Sequence, residues 1–161
     1  MRCFHIFPIA LIVLTMSAYC YGKPWRNIVP LKSTQADVER LLGPATGDPK
    51  RYYLPEYTVY FQYATCRCGE CKTDVWDVPP GTVITIRVGM KGLVKLAQLN
   101  IDLTHFKKWP GADDVPGSFV YMNNEEGLAL EGGGEYVTAL IYGPRAKDEH
   151  LRCKPFDQTD H

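Results

Sequence analysis

The clearest pattern in the chain is an alternation. Tyr57, Val59, Phe61 and Tyr63 recur at every second position, with Thr58, Tyr60 and Gln62 between them. That is the period of a strand with one face on a core and the other toward solvent. Residues 82–88 repeat it after the turn signal Pro79-Pro80-Gly81. Thr82, Ile84, Ile86 and Val88 are expected to face the core there, opposed by Val83, Thr85 and Arg87. Residues 119–122 and 128–131 flank a polar segment ending in Gly127, which predicts a hairpin. A further strand is expected over 136–142, after the Gly132-Gly133-Gly134 turn and before Gly143-Pro144.

A different period precedes the strands. Val38, Leu41 and Leu42 fall at i, i+3 and i+4, Thr34 stands at the N-cap with Asp37 at N3, and Gly43-Pro44 supplies the stop. This predicts a helix of about two turns, too short to be stable alone, whose apolar stripe must bury against a sheet. Before it, Pro30 disfavours helix at Val29, so residues 25–31 read as an extended lead-in able to dock on the domain.

The middle is ambiguous. Leu93, Leu96, Leu99 and Leu103 suit a helix, whereas Leu99, Ile101 and Leu103 suit a short strand. We expect a short strand or irregular structure around 99–103. Asp102 or Thr104 would start a helical turn toward Lys108, and Trp109-Pro110-Gly111 would break it. Residues 111–118 and the tail from Gly143 read as loop, with Cys153 able to anchor the tail. Together these elements predict an α+β fold, a short N-terminal helix packed on an antiparallel sheet of four to six strands. An all-β sandwich or barrel with a helical appendage is the alternative.

The N-terminus changes what this domain is made of. Arg2 precedes an apolar or small run at 7–18 (FPIALIVLTMSA), too short for a permanent span and suited to the h-region of a signal peptide. Cleavage is expected near Tyr21 or before Lys23. Residues 1–22 therefore read as a signal peptide and 23–161 as a single exported α+β domain. A lipid anchor on Cys20 would need a small residue before it, and Tyr19 stands there, so Cys20 reads as the end of the leader. The expected location is the periplasm or the extracellular space, with association to the outer membrane a further option. The mature chain of 139 residues holds 17 basic and 18 acidic groups, which gives no footprint for nucleic acid. No later segment resembles a transmembrane span.

Four cysteines remain after the leader: Cys66, Cys68, Cys71 and Cys153. In an exported protein an even count points to disulfides, and strain against closing Cys66 to Cys68 makes partial pairing of the cluster with Cys153 attractive. Two other accounts stay open. Cys68-Gly69-Glu70-Cys71 has the spacing of a zinc knuckle that Cys66 and Cys153 would complete. The same Cys68/Cys71 pair could exchange disulfides, with Arg67 favouring the thiolate.

Other chemistry is sparse. His105 and His150 stand in no HExxH or comparable spacing, and no GxSxG occurs. Asp113/Asp114 and Glu125/Glu126 lack the alternating ligands of a calcium loop, and the glycine run lacks a phosphate-loop lysine. No cofactor or metal is expected. Among the aromatic residues, Tyr52, Tyr53, Tyr57 and Tyr60 cannot all face one core, which offers a binding surface for a protein or envelope component; sheet packing is the plainer use.

The runs 28–44 (IVPLKSTQADVERLLGP), 75–88 (VWDVPPGTVITIRV) and 121–131 (YMNNEEGLALE) resemble a poorly characterised group of exported proteins of acidobacterial type. The resemblance implies export and a single domain, with no activity attached. The helix ending in LLGP is also similar to the helical start of small outer-membrane assembly lipoproteins and β-lactamase inhibitor-like domains, which pack helices on one side of an antiparallel sheet. The chain departs from them in its poor lipobox and longer strand-rich body. The functional expectation is a non-catalytic exported or envelope-associated binding or accessory protein. The alternatives are thiol–disulfide exchange at Cys68 and Cys71, or an accessory protein held together by zinc or disulfides.

Overall fold

The structure, a computed structural model, describes residues 23–70, 76–111 and 116–154. Its strands are β1 (Arg51–Tyr53), β2 (Tyr57–Tyr63), β3 (Val83–Lys95), β4 (Lys107–Pro110), β5 (Ser118–Asn123), β6 (Leu128–Gly133) and β7 (Tyr136–Tyr142). They form one antiparallel sheet in the order β1-β2-β3-β7-β6-β5-β4. One α-helix, α1 (Gln35–Leu42), lies before it. The α+β expectation stands, but the sheet has seven strands rather than four to six. The added strands are the short edges β1 and β4, which carry no long apolar alternation. All four residues of β4 are exposed, and Pro110 is tolerated there because an edge strand can spare an N–H.

Pairing aligns the apolar positions into rows. Phe61, Ile86, Tyr142 and Leu128 are successive cross-strand partners, as are Val59, Val88, Leu140, Leu130 and Tyr121. These rows form the covered face. Over β1–β3 it is closed by the lead-in and α1, which bury Trp25, Ile28 and Val38 against Phe61 and its neighbours. The lead-in is fastened by hydrogen bonds from Leu31 N–H to Val83 C=O and from Val83 N–H to Ser33 C=O. Over β5–β7 it is closed by the β3–β4 crossover, where Leu96, Leu99, Ile101, Leu103 and Phe106 pack on Leu128, Leu130 and Val137.

Three local expectations change, and one open alternative is resolved. Residues 99–103 take the irregular alternative rather than the strand: 3-10 turns at Leu96–Leu99 and Leu103–His105 frame them. The crossover must lie flat on the sheet, and irregular backbone lets Leu99, Ile101 and Leu103 all point down. Asp102 does start the second turn, accepting from Thr104 N–H at 3.0 Å. Val83 is in the core, because a register shift between Gln62 and Tyr63 places it opposite Tyr63. Leu41 is largely exposed, since two turns of helix bring only Val38 and Leu42 onto the sheet. The tail folds into a 3-10 helix at Ala146–Leu151 instead of a loop.

The α1 cap is a reciprocal box: Thr34 N–H donates to the Asp37 carboxylate at 2.9 Å, and Asp37 N–H donates to Thr34 Oγ1 at 3.3 Å. The Thr34 backbone bond, then the Arg40 side chain, lower the Asp37 pKa to about 2. A depressed carboxyl stabilises the fold above its unfolded value of about 4 and loses that contribution as pH falls toward the folded value. Thr34→Ala removes the N-cap oxygen and is expected to lose about 1 kcal/mol at neutral pH. Asp37→Asn should flatten the acid limb of a pH–urea midpoint curve; an unchanged limb would refute the assignment.

The core holds one unmet polar demand. The Tyr52 and Tyr63 hydroxyls are buried without hydrogen-bond partners. Burial raises both pKa values, with the Glu39 carboxylate adding to each and Tyr52 adding to Tyr63. Raised tyrosines stabilise the fold below their unfolded value and lose that contribution as pH climbs toward the folded one. Tyr63→Phe should thus raise stability by up to about 1 kcal/mol, seen as a higher urea midpoint, and lessen alkaline destabilisation above about pH 10. A drop in the midpoint would show that the hydroxyl has a partner.

Candidate functional site

The chemistry-bearing residues meet at one end of the sheet, where the β2–β3 connection passes under the C-terminal tail. Ala64, Trp76, Val78 and Ile84 form a small cluster there, joined by Leu31 and Leu151. Trp76 and Arg152 make an antiparallel bridge, and Asp77 N–H donates to Leu151 C=O at 2.7 Å. Beside the bridge Cys68 is bonded to Cys153, their Cα atoms 5.5 Å apart and 85 positions apart in the chain. Cys66 is disulfide-bonded as well. Cys71 lies outside the described residues.

These bonds correct two of the cysteine accounts. Exchange at Cys68 and Cys71 needs those two sulfurs to form a pair, and Cys68 is bonded to Cys153 instead. A four-thiolate zinc knuckle needs Cys66, Cys68 and Cys153 reduced, and all three are oxidised. Among the described residues no group of three or more His, Cys, Asp or Glu is arranged to hold a metal ion. His105 is exposed, and His150 Nδ1 lies 2.9 Å from Lys147 C=O. Glu126 sits in an exposed turn and pairs with Lys23, while Asp113 and Asp114 lie outside the described residues.

Above the disulfide corner the tail and the β5–β6 turn enclose a pocket of about 420 Å³ lined by Trp76, Asn124, Pro144, Arg145, Glu149 and Arg152. The turn is held against the tail by Gly143 N–H to Gly127 C=O and Ala146 N–H to Asn124 C=O, both 2.8 Å. Gly127 is required at this contact. Its φ is +64°, and a Cβ would lie 2.3 Å from Gly143 O and 3.0 Å from Arg145 Cγ. Arg145 is thereby packed into the interior, 8% exposed, with Nε and Nη2 lacking hydrogen-bond partners. Asp148 Oδ2 forms an ion pair with Nε at 3.7 Å and accepts from Arg145 N–H at 2.9 Å. Arg152 lies over the Trp76 ring, 4.6 Å from its centre, and pairs with Glu149. Sequence reasoning passed over Arg145, because Gly143-Pro144-Arg145 reads only as a strand terminator.

The tyrosines divide between the two faces. Tyr52 and Tyr57 turn toward the core, Tyr52 edge-on to Phe61 at 5.6 Å. Tyr53 and Tyr60 are exposed on the other face of the sheet. That face also carries Trp109 and Met122, and the Arg87–Glu131 ion pair that crosses β7. A larger cleft of about 700 Å³ opens by the crossover, floored by Leu96, Ile101 and Leu103 and rimmed by the Lys95–Glu135 pair. No protein-family model, curated protein or solved structure matches the chain.

Proposed function

We propose that the protein is a non-catalytic accessory domain, stabilised by disulfides, that works outside the reducing cytoplasm in the periplasm or at the cell envelope. The observation that carries this reading is the Cys68–Cys153 bond, which fastens the tail to the β2–β3 connection and needs an oxidising compartment to persist. The apolar leader at 7–18 supports the same location. Tyr53 and Tyr60, with Trp109 and Met122 on the open sheet face, supply contact area for a protein or envelope component. Among the described residues no helix is long and apolar enough to cross a membrane.

The test is expression of the full chain in a bacterial host, followed by cell fractionation and intact mass after denaturing alkylation. The expected product is exported, has lost residues 1–22, and takes up no alkylating agent until reduced. A cytoplasmic product that keeps its leader, or alkylation at Cys68 and Cys153 without reduction, would overturn the reading.

A further inference from the structure

We propose that the cleft between the β3–β4 crossover and the β6–β7 turn binds a small amphipathic amine, with its apolar body on the crossover side chains and its ammonium at Asp102. The cleft is built into the fold. Leu96 N–H donates to Glu135 C=O at 2.9 Å, which ties the crossover to the turn and sets the spacing of the two walls. Leu96, Ile101 and Leu103 are half-buried: they pack on the cluster of Leu128, Leu130 and Val137, and they also line the cleft. A volume of about 700 Å³ with such a floor suits a small organic molecule, held by apolar area and oriented by a few polar groups.

Charge selects the occupant. Three ionisable side chains line the cleft: Lys95, Asp102 and Glu135. Lys95 Nζ is 3.0 Å from Glu135 Oε1, so that pair cancels and Asp102 is the surplus. Asp102 is also fixed in place. Its Oδ1 accepts from Thr104 N–H at 3.0 Å and from Thr104 Oγ1 at 2.7 Å, and these bonds, the backbone one first, hold its carboxyl below the usual range. Oδ2 makes no hydrogen bond among the described residues, which leaves it for a ligand. The cap of the second 3-10 turn thus doubles as a fixed anion beside an apolar floor. An ammonium gains a partner there, an alcohol gains little, and a carboxylate is repelled. A single surplus charge fits a monocation, and an exposed ion pair alone is weak, so the apolar body is needed to hold it. The cleft lies at the Lys95 end of β3 and the disulfide corner at its other end, beside Ile84. The inference therefore goes beyond the accessory reading and depends on neither export nor the cysteines.

The test uses the oxidised full chain labelled with nitrogen-15, titrated at neutral pH with n-hexylammonium, hexanol, hexanoate and methylammonium. Saturable amide shifts at Leu96, Asn100, Ile101 and Leu103 are expected, with hexylammonium bound most tightly, hexanol next, hexanoate least and methylammonium not at all. Two variants at exposed side chains should move the affinity in opposite directions. Asp102→Asn keeps an oxygen for the Thr104 cap but removes the charge, and should weaken hexylammonium about two- to fivefold while leaving hexanol unchanged. Lys95→Gln frees Glu135 as a second anion and should tighten hexylammonium by a similar factor. Absence of saturable shifts at the cleft would overturn the proposal. So would equal affinity for hexylammonium and hexanol, unchanged hexylammonium affinity in Lys95→Gln, or parallel loss of hexylammonium and hexanol in Asp102→Asn. An acetylated and amidated Leu-Lys-Leu peptide that binds at least tenfold more tightly than hexylammonium would overturn it too, by making the occupant a basic peptide.

Discussion

Replacing Phe61 with alanine is expected to remove about 3–5 kcal/mol of stability, the largest loss from any single side chain in the domain. Phe61 is fully buried at the middle of β2, with Tyr52 edge-on at 5.6 Å, Tyr63 stacked at 6.1 Å and Trp25 tilted at 6.2 Å. It is where the lead-in, β1 and β2 meet. Truncation leaves a cavity that three rigid rings cannot collapse into, so the transfer and cavity contributions add. Thermal unfolding followed by tryptophan fluorescence should show a midpoint lower by roughly 10–20 °C. Tyr53→Ala, on an exposed ring of the short β1 edge, should change stability by no more than about 0.5 kcal/mol. Similar losses in the two variants would mean that the aromatic cluster is not the centre of the core.

The second large effect belongs to the disulfide. Removing both Cys68 and Cys153, as the double alanine variant, is expected to cost about 2–5 kcal/mol. Loop-closure entropy for a separation of 85 residues sets the upper end near about 4.6 kcal/mol. The loss should begin locally. Two of the tail's other moorings, the Trp76–Arg152 bridge and the Leu151 contact with the small cluster, lie within two residues of Cys153. Amide exchange at Asp77 and Arg152 should therefore accelerate before the sheet itself opens. Equal thermal midpoints for the oxidised protein and the double variant would sink the claim that this bond is structural.

Some elements were legible in the chain for identifiable reasons. β2 is half buried, so its alternation is unmixed, and α1 carries both halves of its cap at Thr34 and Asp37. β7 and the β5–β6 hairpin are bounded by glycines at their turns. The edge strands were not legible, since β1 and β4 are strands through their partners' hydrogen bonds rather than through their own side chains. Nor was the crossover, where Leu99, Ile101 and Leu103 satisfy two periodicities and the sheet beneath decides. At the candidate site, the cysteines announced themselves but not their pairing, which depends on the tail returning to the β2–β3 connection. Adjacent positions on a strand alternate, so Tyr52 and Tyr53 had to part company once β1 existed. Arg145 left no trace, because its burial comes from Gly127, a neighbour only in three dimensions.

The distance between Cys68 and Cys153 along the chain also sets an order of events during synthesis. Cys66, Cys68 and Cys71 emerge together, and Cys153 follows 85 residues after Cys68, when β7 has already been made. For most of that interval Cys66 and Cys71 are the cysteines nearest to Cys68 along the chain. Any bond made early with either of them must be broken before the tail can dock, a reshuffling that takes seconds to hours without an isomerase. The cell therefore gains a reason to keep the chain reduced until its last strand is complete, and the yield of correctly bonded protein becomes a question of timing.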